Sequence, residues 1–127
     1  MFYLADTHAL VWYIAGKIPP KVDMIFKESE KGNGIIFVPT IVLAEIMYLV
    51  KRRKIELDYA ELLQRIEVSR NLVEVPFDFQ ILKMMLDVEI SEIHDCAIVA
   101  TAKLLNAKIL TKDEEIERAS GVECVWG

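Results

Sequence analysis

The sequence predicts an α/β fold: a three-layer α/β/α domain with a mainly parallel sheet of four or five strands. Three observations carry that expectation. Short apolar runs alternate with segments of helical period along the whole chain of 127 residues. The runs are apolar on both faces, as strands covered by helices must be. The helical segments begin and end at recognisable caps and stops. No linker or composition shift divides the chain, so residues 1–127 read as a single domain.

The elements follow in order. Met1 to Ala5 is apolar, runs straight into Asp6 and reads as a buried strand. His8 to Ala15 is apolar at helical spacing, and Gly16 stops it. Pro19 and Pro20 open a second helix that runs to about Lys31, and Asn33-Gly34 marks a turn. Ile35 to Val38 is the second strand, closed by Pro39. Thr40 is expected to cap a helix from Ile41 to Arg53, with Lys51, Arg52, Arg53 and Lys54 at the end where cations suit the helix dipole. Asp58 with Glu61 resembles a capping box, so a helix from Tyr59 to Ser69 follows. Leu72 to Val75 is a short third strand before Pro76, and Asp78 can cap a helix through Leu86. A polar stretch from Glu89 to Glu92 leads to a helix from about Asp95 to Leu105. Lys108 to Thr111 is a fourth strand, Asp113 to Arg118 a short helical turn, and Val122 to Trp126 a last strand.

Composition narrows the function classes. A hydrophobic share of 54% excludes a disordered chain, and 5 Gly with 4 Pro exclude collagen-like repeats. The longest apolar run, Ile35 to Val50, is interrupted by Pro39 and charged at Glu45, which argues against a membrane span. No basic residue precedes Lys17, so no secretory signal is expected and a cytoplasmic location is. The 2 cysteines, Cys96 and Cys124, form no CxxC and read as small buried hydrophobes. A net charge of −5 argues against a broad basic nucleic-acid surface but suits an acidic site neutralised by metal. Mean hydropathy is +0.29, and the segments around Trp12 and Tyr48 have few polar positions, so a homodimer or a partner-binding groove is expected.

Charge stands where the pattern calls for apolar residues. Asp6 follows five residues without a charge. Glu45 has Ile41, Val42, Tyr48 and Leu49 as its helix neighbours. Asp95 shares its face with Ile98, Val99 and Ala102. An unpaired buried carboxylate is costly unless it pairs, takes up a proton or binds a cation. Topology brings these acids together. Asp6 ends the first strand and Asp113 lies just beyond the fourth, and ligand sites of open parallel sheets lie at the carboxyl ends of strands. Helices in right-handed crossovers run opposite to the strands, so Glu45 and Asp95, in early turns, meet the same rim. Four such acids repel, and a hard divalent cation, Mg²⁺ or Mn²⁺, relieves that. A carboxylate cage of this kind suits metal-assisted phosphodiester hydrolysis by water.

Four motifs resemble those of a PIN domain, more narrowly a VapC-like ribonuclease toxin. They are the opening Leu4-Ala5-Asp6-Thr7-His8, Glu45 within Val38 to Ile46, the block His94-Asp95-Cys96-Ala97-Ile98-Val99-Ala100-Thr101-Ala102, and Leu110-Thr111-Lys112-Asp113. They cover nearly the whole chain in order. The resemblance implies a metal-dependent endoribonuclease acting on RNA, paired with a small antitoxin protein encoded beside it. It makes Asp6, Glu45, Asp95 and Asp113 the catalytic metal ligands. It departs from the family in the Asp95 block, where Cys96 and Ala97 follow and leave Asp95 as its only acid.

Neighbouring residues have blander readings. Asp6 could serve as a helix N-cap, and Asp95 could simply occupy a first turn. Thr111 and Thr7 could position a water or a phosphate, although strand propensity also accounts for Thr111. His8 reads as a satisfied structural histidine and His94 as a cap or rim residue. The Lys51 to Lys54 run reads as a solvated helix end, roughly 20 Å from the acidic rim. Trp12, Tyr13 and Tyr48 read as core or partner interface rather than base-stacking residues. The alternatives to a nuclease are a receiver-type domain, which needs an acid directly after the third strand where Pro76 stands, and a catalytically inactive PIN-like binding module.

Overall fold

A computed structural model describes residues 1–127, apart from the side chains of residues 119 and 120. Five parallel strands form one sheet in the order β3-β2-β1-β4-β5: β1 (Phe2–Ala5), β2 (Ile35–Pro39), β3 (Leu72–Val75), β4 (Lys108–Leu110) and β5 (Cys124–Val125). β1 is central, pairing Tyr3 with Ile36 on one side and with Lys108 on the other. Leu4, Ala5, Ile36, Val38, Ile109 and Leu110 are fully buried, as a sheet covered on both faces requires. The predicted three-layer α/β/α fold with a parallel sheet is therefore what the chain adopts.

Seven helices cover the sheet: α1 (Thr7–Ile14), α2 (Pro20–Glu30), α3 (Thr40–Lys51), α4 (Tyr59–Val68), α5 (Phe79–Met85), α6 (Ile93–Leu105) and α7 (Glu114–Ser120). α3 packs on both α1 and α6, and α5 packs on α6. The Tyr59 hydroxyl donates to the Leu43 carbonyl at 2.6 Å and pins the start of α4 to α3. Tyr13 of α1 stacks on the buried Phe26 of α2, with centroids 3.9 Å apart. Trp12 meets Trp126 edge-on at 5.7 Å, which ties α1 to the chain after β5. Among the described residues no helix is long and apolar enough to cross a membrane. Cys96 is buried and Cys124 half-buried.

Several boundaries differ from the sequence reading, and three have an identifiable cause. Thr40 does not cap α3. It is the first helical residue, Pro39 holds the cap position without a side-chain bond, and the Thr40 hydroxyl accepts from the Phe77 amide at 3.0 Å. A tertiary partner has taken the oxygen that a local rule assigned to the helix. α6 starts at Ile93 rather than Asp95, because the Glu92 carboxylate accepts from the amides of His94 and Asp95. The last strand shrinks to Cys124–Val125, since β4 offers only Ile109 and Leu110 as partners there. The caps expected from Asp58 and Asp78 are present, to Glu61 and Ile81.

Candidate functional site

The site grows from the carboxyl ends of β1 and β4. Asp6 leaves β1 in extended conformation and turns the chain into α1, its Oδ1 accepting the Ala9 amide at 2.8 Å. Its own amide donates to the Leu110 carbonyl at 3.3 Å, which locks the end of β1 to the end of β4. Asp6 is thus an N-cap, yet only 4% exposed, and a cap bond occupies only one of its two oxygens. Burial pushes its carboxyl above the ordinary range, against hydrogen bonds from Thr111 and the Ala9 amide. Asp113 lifts it further and His8 opposes the rise.

Asp113 occupies the matching position after β4. It caps α7, with Oδ1 accepting from the Glu115 amide at 2.8 Å and the Ile116 amide at 3.3 Å. Thr111 joins the two aspartates. Its buried hydroxyl bonds the Asp6 carboxylate and accepts the Asp113 amide at 3.0 Å. Glu45 sits half-buried in the second turn of α3, where its Oε1 accepts from the buried Thr7 hydroxyl. Both threonine hydroxyls therefore bond carboxylates of the cluster.

Asp95 is the third residue of α6, half-buried and facing the other acids. Its carboxyl is pushed up to about 6, first by burial and then by the charges of Glu92, Asp113, Glu45 and Asp6. That list contains the other three predicted acids, so the structure brings all four within electrostatic reach around Asp95. Among the described residues none of the four forms an ion pair with a lysine or arginine. A cluster of uncompensated carboxylates is a strong attractor for cations.

Two residues enter that the sequence reading did not count as ligands. Glu45, Glu92 and His94 each offer a ligand atom, all within 4.8 Å of one another. Of the four predicted acids this grouping includes Glu45 alone, among the described residues. Glu92 also accepts from His94 Nδ1 at 2.9 Å. The signal for Glu92 was present in the sequence: it stands three residues before Asp95, the spacing of a helix cap and its third residue. His8 is exposed on the rim rather than packed as a structural histidine. The Lys112 ammonium lies 4.0 Å over the Trp12 ring.

The donor set is carboxylate oxygen with one imidazole at the edge. Hard, oxygen-preferring divalent ions fit it, and thiophilic metals do not. A parallel α/β sheet with acids converging at its carboxyl edge defines a class of cation-dependent sites on open sheets. The PIN domain family model matches residues 3–122, and the chain belongs to that family. PIN domains are generally nucleases, and PIN nucleases use divalent metals. The sequence matches no curated protein.

Solved structures share the fold. A chain of VapBC2 from Rickettsia felis, bound to a DNA fragment from its promoter, superposes with a TM-score of 0.75 at 18% identity, covering 100% of both chains. DNA-bound VapBC from Salmonella typhimurium gives 0.69 at 17%, covering 98% of this chain and 97% of that one. VapBC-1 from nontypeable Haemophilus influenzae gives 0.66 at 20%, with the same coverage of 98% and 97%.

Proposed function

We propose that this PIN domain is a metal-dependent endoribonuclease, the toxin of a type II toxin–antitoxin pair, acting in the cytoplasm as a single domain over residues 1–127. The observation that carries the reading is the meeting of Asp6, Glu45, Asp95 and Asp113 from four separate elements, coupled through Asp95. The VapBC complexes that share the fold support an antitoxin partner. The apolar residues left on the surface support a homodimer as well.

In this reading Asp6, Glu45, Asp95 and Asp113 hold Mg²⁺ or Mn²⁺, with Glu92 and His94 at the margin of the cage. The bound ion supplies Lewis-acid activation of water and of the leaving oxygen in phosphodiester hydrolysis. The protein's own part is preorganisation. Thr7 aims the Glu45 carboxylate, and Thr111 holds Asp6 and the backbone of Asp113 in one unit. The N-cap bonds fall on a single oxygen of each aspartate. Burial of Asp6 keeps bulk water from competing for its carboxylate.

The test is cleavage of RNA with Mg²⁺ or Mn²⁺, with and without chelator. Cleavage that needs the ion supports the reading. RNA left intact under every metal condition, with the ion bound, would make the chain a PIN-like binding module instead.

A further inference from the structure

The basic run Lys51, Arg52, Arg53 and Lys54 is left unexplained by the acidic centre. All four residues are exposed, and among the described residues none forms an ion pair. One or two cations at a helix C-terminus are expected from the dipole; four in succession, in a chain of net charge −5, exceed that need.

The backbone adds an independent observation. The Lys54 amide bonds the Leu49 carbonyl at 2.9 Å and the Arg53 amide bonds Val50 at 3.0 Å, which closes α3 with a reversing turn. That turn places Arg53 at φ +57°, the left-handed conformation where helix ends favour glycine. A bulky cation stands where conformation disfavours it, so charge at this corner carries a benefit that stability does not.

The corner is continuous with the site along one face of α3. Glu45, Tyr48 and Arg52 are spaced i, i+3 and i+7 and share a side of the helix, spanning about 10 Å of its axis. Tyr48 is 58% exposed, and the Arg52 guanidinium lies over its ring at 5.6 Å. An exposed aromatic backed by a guanidinium, with unpaired cations beyond it, is the pattern of a single-stranded nucleic-acid track. Rings stack bases, and cations follow phosphates.

We propose that this face of α3 is a substrate track: Tyr48 with Arg52 stacks an unpaired base, and Lys51 to Lys54 hold the phosphates of RNA leading away from the acidic centre. The inference deepens the ribonuclease reading and rests on it for the identity of the substrate. The occupant is unpaired RNA by charge complementarity: the corner is cationic, whereas the rest of the chain is net acidic.

The experiment measures binding apart from cleavage. Fluorescein-labelled oligouridine is titrated with the full chain in chelator, by anisotropy, over a range of salt. Changing Arg52, Arg53 and Lys54 together to glutamine should weaken binding at least tenfold and flatten the salt slope by about 2. Tyr48→Leu should weaken binding about tenfold with the slope unchanged. Removing three charges elsewhere, at Lys27, Lys31 and Lys103, should change neither, and circular dichroism should show each variant folded. With Mg²⁺ present, the triple variant should raise KM and leave kcat near wild type.

Wild-type binding that is absent, or equal in the triple variant, overturns the track. Variants that keep RNA affinity but lose a protein partner held by wild type make the face a protein-docking surface and overturn it equally. Binding with the predicted slopes but without any metal-dependent cleavage upholds the track and rejects the nuclease reading, so the two fail separately.

Discussion

Asp6 carries two duties that substitution can separate. As an N-cap it needs one acceptor oxygen, which asparagine also supplies; as a metal ligand it needs charge. Asp6→Asn should therefore keep the fold and lower cleavage by about 100-fold or more. The companion measurement is a melting curve with and without Mg²⁺. At ~100-fold excess over Kd, the ion adds about 2.7 kcal/mol to the wild type, and the variant should gain much less. Equal gains in both would remove Asp6 from the ligands. Asp95 makes a prediction about pH. Its carboxyl titrates near 6 in the folded chain against an ordinary 3.8, so the folded state binds the extra proton. Without metal, stability should fall as pH rises from about 4 to about 6, and level off above. Asp6, also raised, acts in the same direction. Asp95→Asn should flatten that profile and stabilise the metal-free protein at neutral pH by about 1 kcal/mol, a figure already reduced for its partial exposure. A profile that rises across this window in the wild type would contradict the assigned environment.

At the scale of elements, α6 and α3 are set by their ends. Glu92 caps α6 and also sits beside Asp95, so its removal has two opposite effects. Glu92→Ala should cost about 1 kcal/mol of helix capping. It should also lower the Asp95 pKa, readable by NMR titration of the side-chain carbonyl; an unmoved titration would show that Glu92 does not act on Asp95. Arg53 makes the reverse case. Arg53→Gly should stabilise the protein by up to about 1 kcal/mol, because glycine adopts the left-handed turn without strain. Urea denaturation measures this, and a loss of stability would mean that the arginine makes contacts worth more than the strain. Most elements were legible in the sequence, because strand runs and helix periods are local patterns. Asp58 and Asp78 bond the amides that their spacing announced. Thr40 failed the same rule, since the Phe77 amide, distant in sequence, competes for its oxygen.

For the whole molecule, apolar surface is the dominant feature outside the site. Phe79, Leu82 and Leu86 follow i, i+3, i+7 spacing along α5 and its end, exposed at 70%, 45% and 87%, with Ile93 of α6 exposed at 55%. Such a stripe is costly to leave in water, at about 25 cal/mol per Å². Under the proposed homodimer, Leu86→Glu should shift sedimentation toward the monomer while cleavage per chain persists. A wild type that sediments as a monomer at every concentration would discard the homodimer.

The sequence by itself determined the parallel α/β architecture and the convergence of Asp6, Glu45, Asp95 and Asp113. Strand ends and helix starts are fixed by local signals, and right-handed crossovers place all of them at one edge. Tertiary structure alone decided how those acids are held. The Thr7 proton goes to Glu45, and the Thr111 hydroxyl joins Asp6 to the backbone of Asp113. Glu92 and His94 come up beside Glu45. These pairings join residues far apart in the chain, and no local spacing encodes which buried oxygen a hydroxyl will find. They are set when the elements pack, because a buried polar atom must take a partner that packing puts within reach.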